Sequence, residues 1–128
     1  MKLIFAYHNK LVVMDKTGKT VRQLTNASDA SGVDFHLNKE FIYFTDTTTR
    51  KIYKLRMPKE EEIFSGASSD SININPIIDI GGNPGAWSPS AIAVDWIGDN
   101  LYVVDSLGQK VNIFDMAGKK CCDFYSIF

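Results

Sequence analysis

Residues 90–119 read SAIAVDWIGDNLYVVDSLGQKVNIFDMAGK. Three short apolar runs lie in this stretch, each closed by turn residues. Ala91-Ile92-Ala93-Val94 ends at Asp95-Trp96, with Ile97-Gly98-Asp99-Asn100 as the turn. Leu101-Tyr102-Val103-Val104 ends at Asp105 before Ser106-Leu107-Gly108, and Val111-Asn112-Ile113-Phe114 ends at Asp115 before Met116-Ala117-Gly118. The runs are rich in β-branched and aromatic residues and begin about ten residues apart, the pattern of antiparallel strands in a meander. They are too short and too often broken for helices. Gly and Asn supply the left-handed backbone of tight turns, and Asp bonds to its own turn.

The stretch recurs. A shift of 59 positions, from 46 to 105, lays Ile42-Tyr43-Phe44-Thr45-Asp46 on Leu101-Tyr102-Val103-Val104-Asp105 and Lys51-Ile52 on Lys110-Val111. Val33-Asp34-Phe35 matches Val94-Asp95-Trp96 if two extra residues are allowed before the next strand. A shift of 100, from 15 to 115, lays Leu11–Asp15 on Val111–Asp115 and Gly18-Lys19 on Gly118-Lys119. Three copies of one unit are expected, the first and last incomplete. Repeats of roughly 40–50 residues, each a short meander, predict a β-propeller.

These residues also carry a resemblance. Tyr43-Phe44-Thr45-Asp46 resembles the Tyr-Trp-Thr-Asp signature of low-density lipoprotein receptor class B repeats, with Phe in place of Trp. Ala91–Asp105 is similar to that family's Gly-Ile-Ala-Val-Asp-Trp strand followed by an Asn-Leu-Tyr strand closed by Asp. Leu3-Ile4-Phe5-Ala6 resembles the first strand of such a propeller, and Leu55-Arg56-Met57-Pro58 resembles the stretch before a long second-blade insertion. The similarity is nearest to the N-terminal propeller of the large receptor-related proteins and spans residues 3–119. Trp is missing from all three signature strands, Val104 replaces Thr, and Ala91 replaces Gly. The resemblance implies an all-β fold with six blades when complete, of which this chain holds two to three.

Composition narrows the function classes. At 128 residues the chain suffices for one core. A net charge of −1 gives no electrostatic case for nucleic acid or an anionic membrane. No stretch approaches the ~20 apolar residues of a membrane span. Met1–Tyr7 is too short for a signal-peptide core, so any signal peptide and anchor belong to a longer parent. The adjacent Cys121 and Cys122 give no zinc or redox spacing, and a disulfide between neighbours strains the peptide that joins them.

Along the chain, residues 1–28 read as outer strands of a first blade, with Leu3–Phe5 and Leu11–Met14 flanking a turn at Tyr7-His8-Asn9-Lys10. The strand Val21–Leu24 follows. Asn26-Ala27-Ser28 is an N-glycosylation acceptor in a Ser/Asn/Asp-rich loop. Residues 31–80 read as the second blade, with strands at Gly32–Phe35, Phe41–Thr45 and Lys51–Arg56. An insertion at 59–88 includes an outer strand at Ile77–Ile80. The loop Gly81-Gly82-Asn83-Pro84-Gly85 resembles no phosphate cradle, because the prolines at 84 and 89 forbid the helix such a cradle needs. Residues 90–128 read as the third blade, closing on the apolar Phe124–Phe128.

No catalytic constellation stands out. Asp15, Asp34, Asp46, Asp95, Asp105 and Asp115 sit at strand ends in every copy. Metal ligation is one reading, and a scaffold role accepting turn amides is the other. Repetition at equivalent places favours the scaffold. His8 and His36 have no neighbouring Cys and read as ordinary surface residues. Phe35, Trp96, Tyr43 and Tyr102 are expected between blades, whereas Trp87, outside the repeat, is the candidate for a partner contact. No metal, cofactor or catalytic residue is assigned.

The resemblance implies a non-enzymatic extracellular segment of an endocytic lipoprotein-receptor-like protein, a scaffold and protein-interaction module in ligand uptake and release. Its expected partners are protein ligands or adjacent receptor modules, not nucleic acid. It inserts into no membrane itself, and its setting in the parent is the outer face of the plasma membrane and endosomes. An open propeller is expected to self-associate through uncovered blade faces. The same strands also resemble NHL repeats and lactonase-type hydrolases, in which Glu, Asn and Asp hold a metal on the propeller axis.

Overall fold

The computed structural model describes residues 2–36, 41–56, 76–79 and 87–125. The strands there are β1 (Lys2–Asp15), β2 (Thr20–His36), β3 (Phe41–Asp46), β4 (Lys51–Arg56) and β5 (Pro76–Asp79). They continue as β6 (Pro89–Asp95), β7 (Asn100–Asp105), β8 (Lys110–Asp115) and β9 (Lys120–Tyr125). Neighbours in sequence are neighbours in space: one antiparallel sheet runs β1-β2-β3-β4-β5 and the other β6-β7-β8-β9. Short meanders stacked face against face make this part of a β-propeller.

Alternation along β3 explains the stacking. Ile42 and Phe44 point to one side and join Leu11, Val13, Ala30 and Leu55 in a first core. Tyr43 points to the other side and joins Ile52, Trp87, Val94, Leu101, Val103 and Phe114 in a second. β3 is therefore buried on both faces, whereas β7 buries one face and half-exposes the other. Phe44 stacks on Tyr53, its cross-strand partner, with ring centroids 5.1 Å apart.

The ladder corrects four expectations. Tyr7–Lys10 is no turn: β1 runs through it, with a register shift between His8 and Lys10. Asn26 lies in no loop but within β2, its backbone opposite Lys10. Consequently residues 2–28 form no separate sheet. β2 is unbroken, pairing with β1 along its first half and with β3 along its second, and irregularities at Ala30/Gly32 and in β1 take up the bend. Finally, Asp34 is not the counterpart of Asp95. Asp34 faces Tyr43 just as Ala93 faces Tyr102, so the shift of 59 holds through both inner strands without the two extra residues. The ladder fixes equivalence where a three-residue match cannot. The outer strand expected near Ile77 is present as β5; the glycine loop 81–85 and residues 126–128 lie outside the described residues.

Candidate functional site

The repeated aspartates act on their own turns. Asp15 Oδ1 accepts from the amides of Thr17 and Lys19 at 2.9 and 3.1 Å, and Asp115 Oδ1 accepts from Ala117 and Lys119 at 3.0 and 2.9 Å. Gly18 and Gly118 complete these turns at φ 85° and 90°. A hydrogen bond from the Thr17 hydroxyl holds the Asp15 carboxyl below the usual carboxylate range. Asp95 Oδ1 binds the amides of Ile97 and Gly98. Asp105, fully buried, binds those of Leu107, Gly108 and Ser88. Asp46 takes Thr49 N with one oxygen and Asp29 N with the other, so the pair 46/29 repeats as 105/88. Among the described residues, no group of three or more His, Cys, Asp and Glu side chains is placed to hold a metal ion.

Asp34 does something different. Its Oδ2 accepts from Val94 N at 2.8 Å, joining the inner strand β2 to the inner strand β6 of the next blade. Other bonds cross the same seam. Thr45 Oγ1 donates to Ser90 O at 2.8 Å, Ser31 Oγ reaches the same carbonyl at 2.9 Å, and Thr47 Oγ1 donates to Pro89 O at 3.2 Å. Gly32 sits where the strands touch; a Cβ there would lie 2.6 Å from Ser90 O.

Two more residues belong to the seam, contrary to the sequence reading. His36 is not a surface residue: it is 1% exposed, and its Nε2 lies 2.8 Å from Asp99 Oδ1 on the next blade's turn. Trp87 is not a surface contact either. It is 4% exposed, donates Nε1–H to Arg50 O at 3.0 Å and tilts against Phe114. A large aromatic with one polar atom gains most where the ring is covered and the N–H finds a carbonyl. Tyr43 is wholly buried, and burial followed by the Asp99 charge pushes its phenol pKa up. Tyr102 is half-buried, whereas Phe35 and Trp96 keep 44% and 40% exposure and are not packed between blades.

One side of the β6–β9 sheet carries exposed apolar groups, among them Val104 and Phe124, around a pocket of about 310 Å³. On β9 a register shift makes Cys121 an extra residue between Cys122 and Lys120, and the two exposed thiols come within 2.7 Å. Their hydrogen bond raises the Cys122 pKa. Adjacent cysteines in sequence carry no sign of this convergence.

No family model matches the chain. It is 27% identical over 119 residues to low-density lipoprotein receptor-related protein 5 of Mus musculus, covering 91% of this chain and 6% of that protein. The chain is similar in sequence to a segment of a low-density lipoprotein receptor-related protein. It thus spans a small part of its curated relative. Among solved structures, a chain of the nidogen/laminin complex superposes with a TM-score of 0.68 at 18% identity, over 94% of this chain and 43% of that one. A luciferin-regenerating enzyme superposes with a TM-score of 0.70 at 17% identity, over 91% of this chain and 36% of that one. At these identities the two structures speak for the fold alone.

Proposed function

We propose that the chain is a non-catalytic, extracellular propeller segment of an endocytic lipoprotein-receptor-like protein, serving as scaffold and protein-interaction module. The observation that best supports this is the use of the strand-end carboxylates. Asp15, Asp46, Asp95, Asp105 and Asp115 each accept backbone amides of their own turn. A carboxylate held by two or three backbone amides ties its turn to the end of its strand. The relationship to a receptor-related protein and the exposed apolar face of the third blade support the interaction role. The partners would be protein ligands or neighbouring modules of the parent, at the cell surface and in endosomes. A blade boundary at 80/90 and a glycan on Asn26 belong to the same proposal.

A metal-dependent hydrolase is the second reading, favoured by the superposition on an enzyme and by a buried Asp105 Oδ2 without a hydrogen-bond partner. Thermal melts of the chain and its Asp46→Asn and Asp105→Asn variants, with and without chelator, separate the two. The scaffold reading expects both variants to melt early and chelator to change nothing. A chelator effect that disappears in the variants would put the hydrolase first.

A further inference from the structure

Strand β9 breaks the rule that neighbouring side chains on a strand point to opposite faces. Ile113 pairs with Cys122 and Phe114 with Lys120, so Cys121 is an extra residue without a counterpart on β8. Such a bulge suspends the alternation, and here it turns the two thiols toward each other, with their Sγ atoms 2.7 Å apart. That separation is not far beyond the ~2.05 Å of an S–S bond. The segment around the thiols is clamped. Lys120 Nζ donates to Asp123 Oδ2 at 3.0 Å, and Lys110 Nζ on β8 lies 3.5 Å from the same oxygen. Both thiols are free and exposed, and the chain has no third cysteine to compete for either.

We propose that Cys121 and Cys122 form a reversible thiol–disulfide site, closed by a small disulfide of the glutathione type. One thiolate attacks a sulfur of glutathione disulfide, whose S–S bond breaks, and one glutathione leaves as its thiolate. The neighbouring thiolate then attacks the protein sulfur of the mixed disulfide, forming the Cys121–Cys122 bond and releasing the second glutathione. The two cysteines thereby lose two electrons and two protons, and the glutathione pair takes them up. A bond between adjacent residues keeps strain in the peptide that joins them, which makes it easily reduced, as labile and regulatory disulfides are. Reduced glutathione therefore reopens it. Closure fixes Cys121 in the bulge, and with it the register of β9 on β8.

To test this, the full chain is incubated with glutathione disulfide, remaining thiols are trapped with iodoacetamide, and intact and peptide masses are measured. We expect a monomer two hydrogens lighter with neither cysteine alkylated, returning to two alkylated cysteines after reduced glutathione is added. Half-closure should need about tenfold less glutathione disulfide than an unfolded peptide of residues 118–125, GKKCCDFY, because the bulge already holds the sulfurs together. Cys121→Ser and Cys122→Ser chains should each stop at a single glutathione adduct, the intermediate caught before ring closure. A wild-type chain that accumulates such adducts, or that links into dimers, overturns the proposal, since its thiols then do not reach each other. Equal closure of chain and peptide overturns it too, because the fold would then contribute nothing.

Discussion

Among the described residues, four turns share the spacing Asp-x-x-Gly: Asp15/Gly18, Asp95/Gly98, Asp105/Gly108 and Asp115/Gly118. The glycine serves two purposes in them. Gly18 and Gly118 adopt the left-handed backbone themselves. In the other two turns that conformation passes to Asp99 and Gln109, and the carboxylate of the preceding aspartate fills the space a Cβ would need. Gly108→Ala would therefore push on an Asp105 side chain that is fully buried and pinned by three amides. We expect a loss of about 1–3 kcal/mol in denaturant melts. The loss should largely vanish in an Asp105→Ala background, since the two residues share one contact. Gly18→Ala has open space and meets only the left-handed backbone, at about 1–2 kcal/mol. Its effect should not depend on Asp15. The Asp15 carboxyl is depressed chiefly by the Thr17 hydroxyl, so its contribution is present above the ordinary carboxylate range and is lost as pH falls through the lowered value. Thr17→Ala should move the Asp15 titration, followed by NMR, back toward 3.8. An unchanged titration would remove the hydroxyl as the cause.

At the level of strands, the seam between β2 and β6 is the part most sensitive to size. A Cβ at Gly32 meets backbone rather than a side chain, with Ser90 O at 2.6 Å and Ala91 Cα at 3.1 Å, so nothing can rotate aside. Gly32→Ala should separate the two inner strands and weaken the bonds from Asp34 and Thr45. The cost should be about 1–3 kcal/mol, read as an earlier melt; an unchanged melt would mean that the strands have room to part. Much of this level is legible in sequence. β6 to β8 follow from alternation and turn residues, because the three apolar runs and their Asp stops coincide with the ladder. β1 and β2 do not. Polar stretches such as His8-Asn9-Lys10 and the one at Asn26 look like turns, yet they lie within the strands, with Lys10 opposite Asn26 and His8 opposite Ala30, and pairing is set by the partner strand. Trp87 and His36 fail for a related reason. Their burial depends on Arg50 and Asp99, which are distant in sequence, and no local pattern encodes that neighbourhood.

For the whole molecule, the decisive feature is that one strand serves two cores. Tyr43 and Phe44 are adjacent, yet Phe44 packs with Leu11 and Ile42 while Tyr43 packs with Leu101 and Phe114. Each core would be too small alone, and repeats of this kind are stabilised through the faces they share. Because β3 cannot leave one core without leaving the other, the two should unfold together. Phe44→Ala should cost about 3–5 kcal/mol from a packed aromatic site. Tyr43→Ala removes an equally buried ring together with a hydroxyl 3.5 Å from Met116 Sδ, so a comparable loss is expected. Both variants should move the same single transition, detected by near-ultraviolet circular dichroism and by Trp fluorescence, although Trp87 belongs to Tyr43's core alone. Coincident curves in each variant are the expected result. If Phe44→Ala melts the first core while Trp87 fluorescence stays native, the cores are independent. The shared strand would then be a geometric fact without energetic coupling.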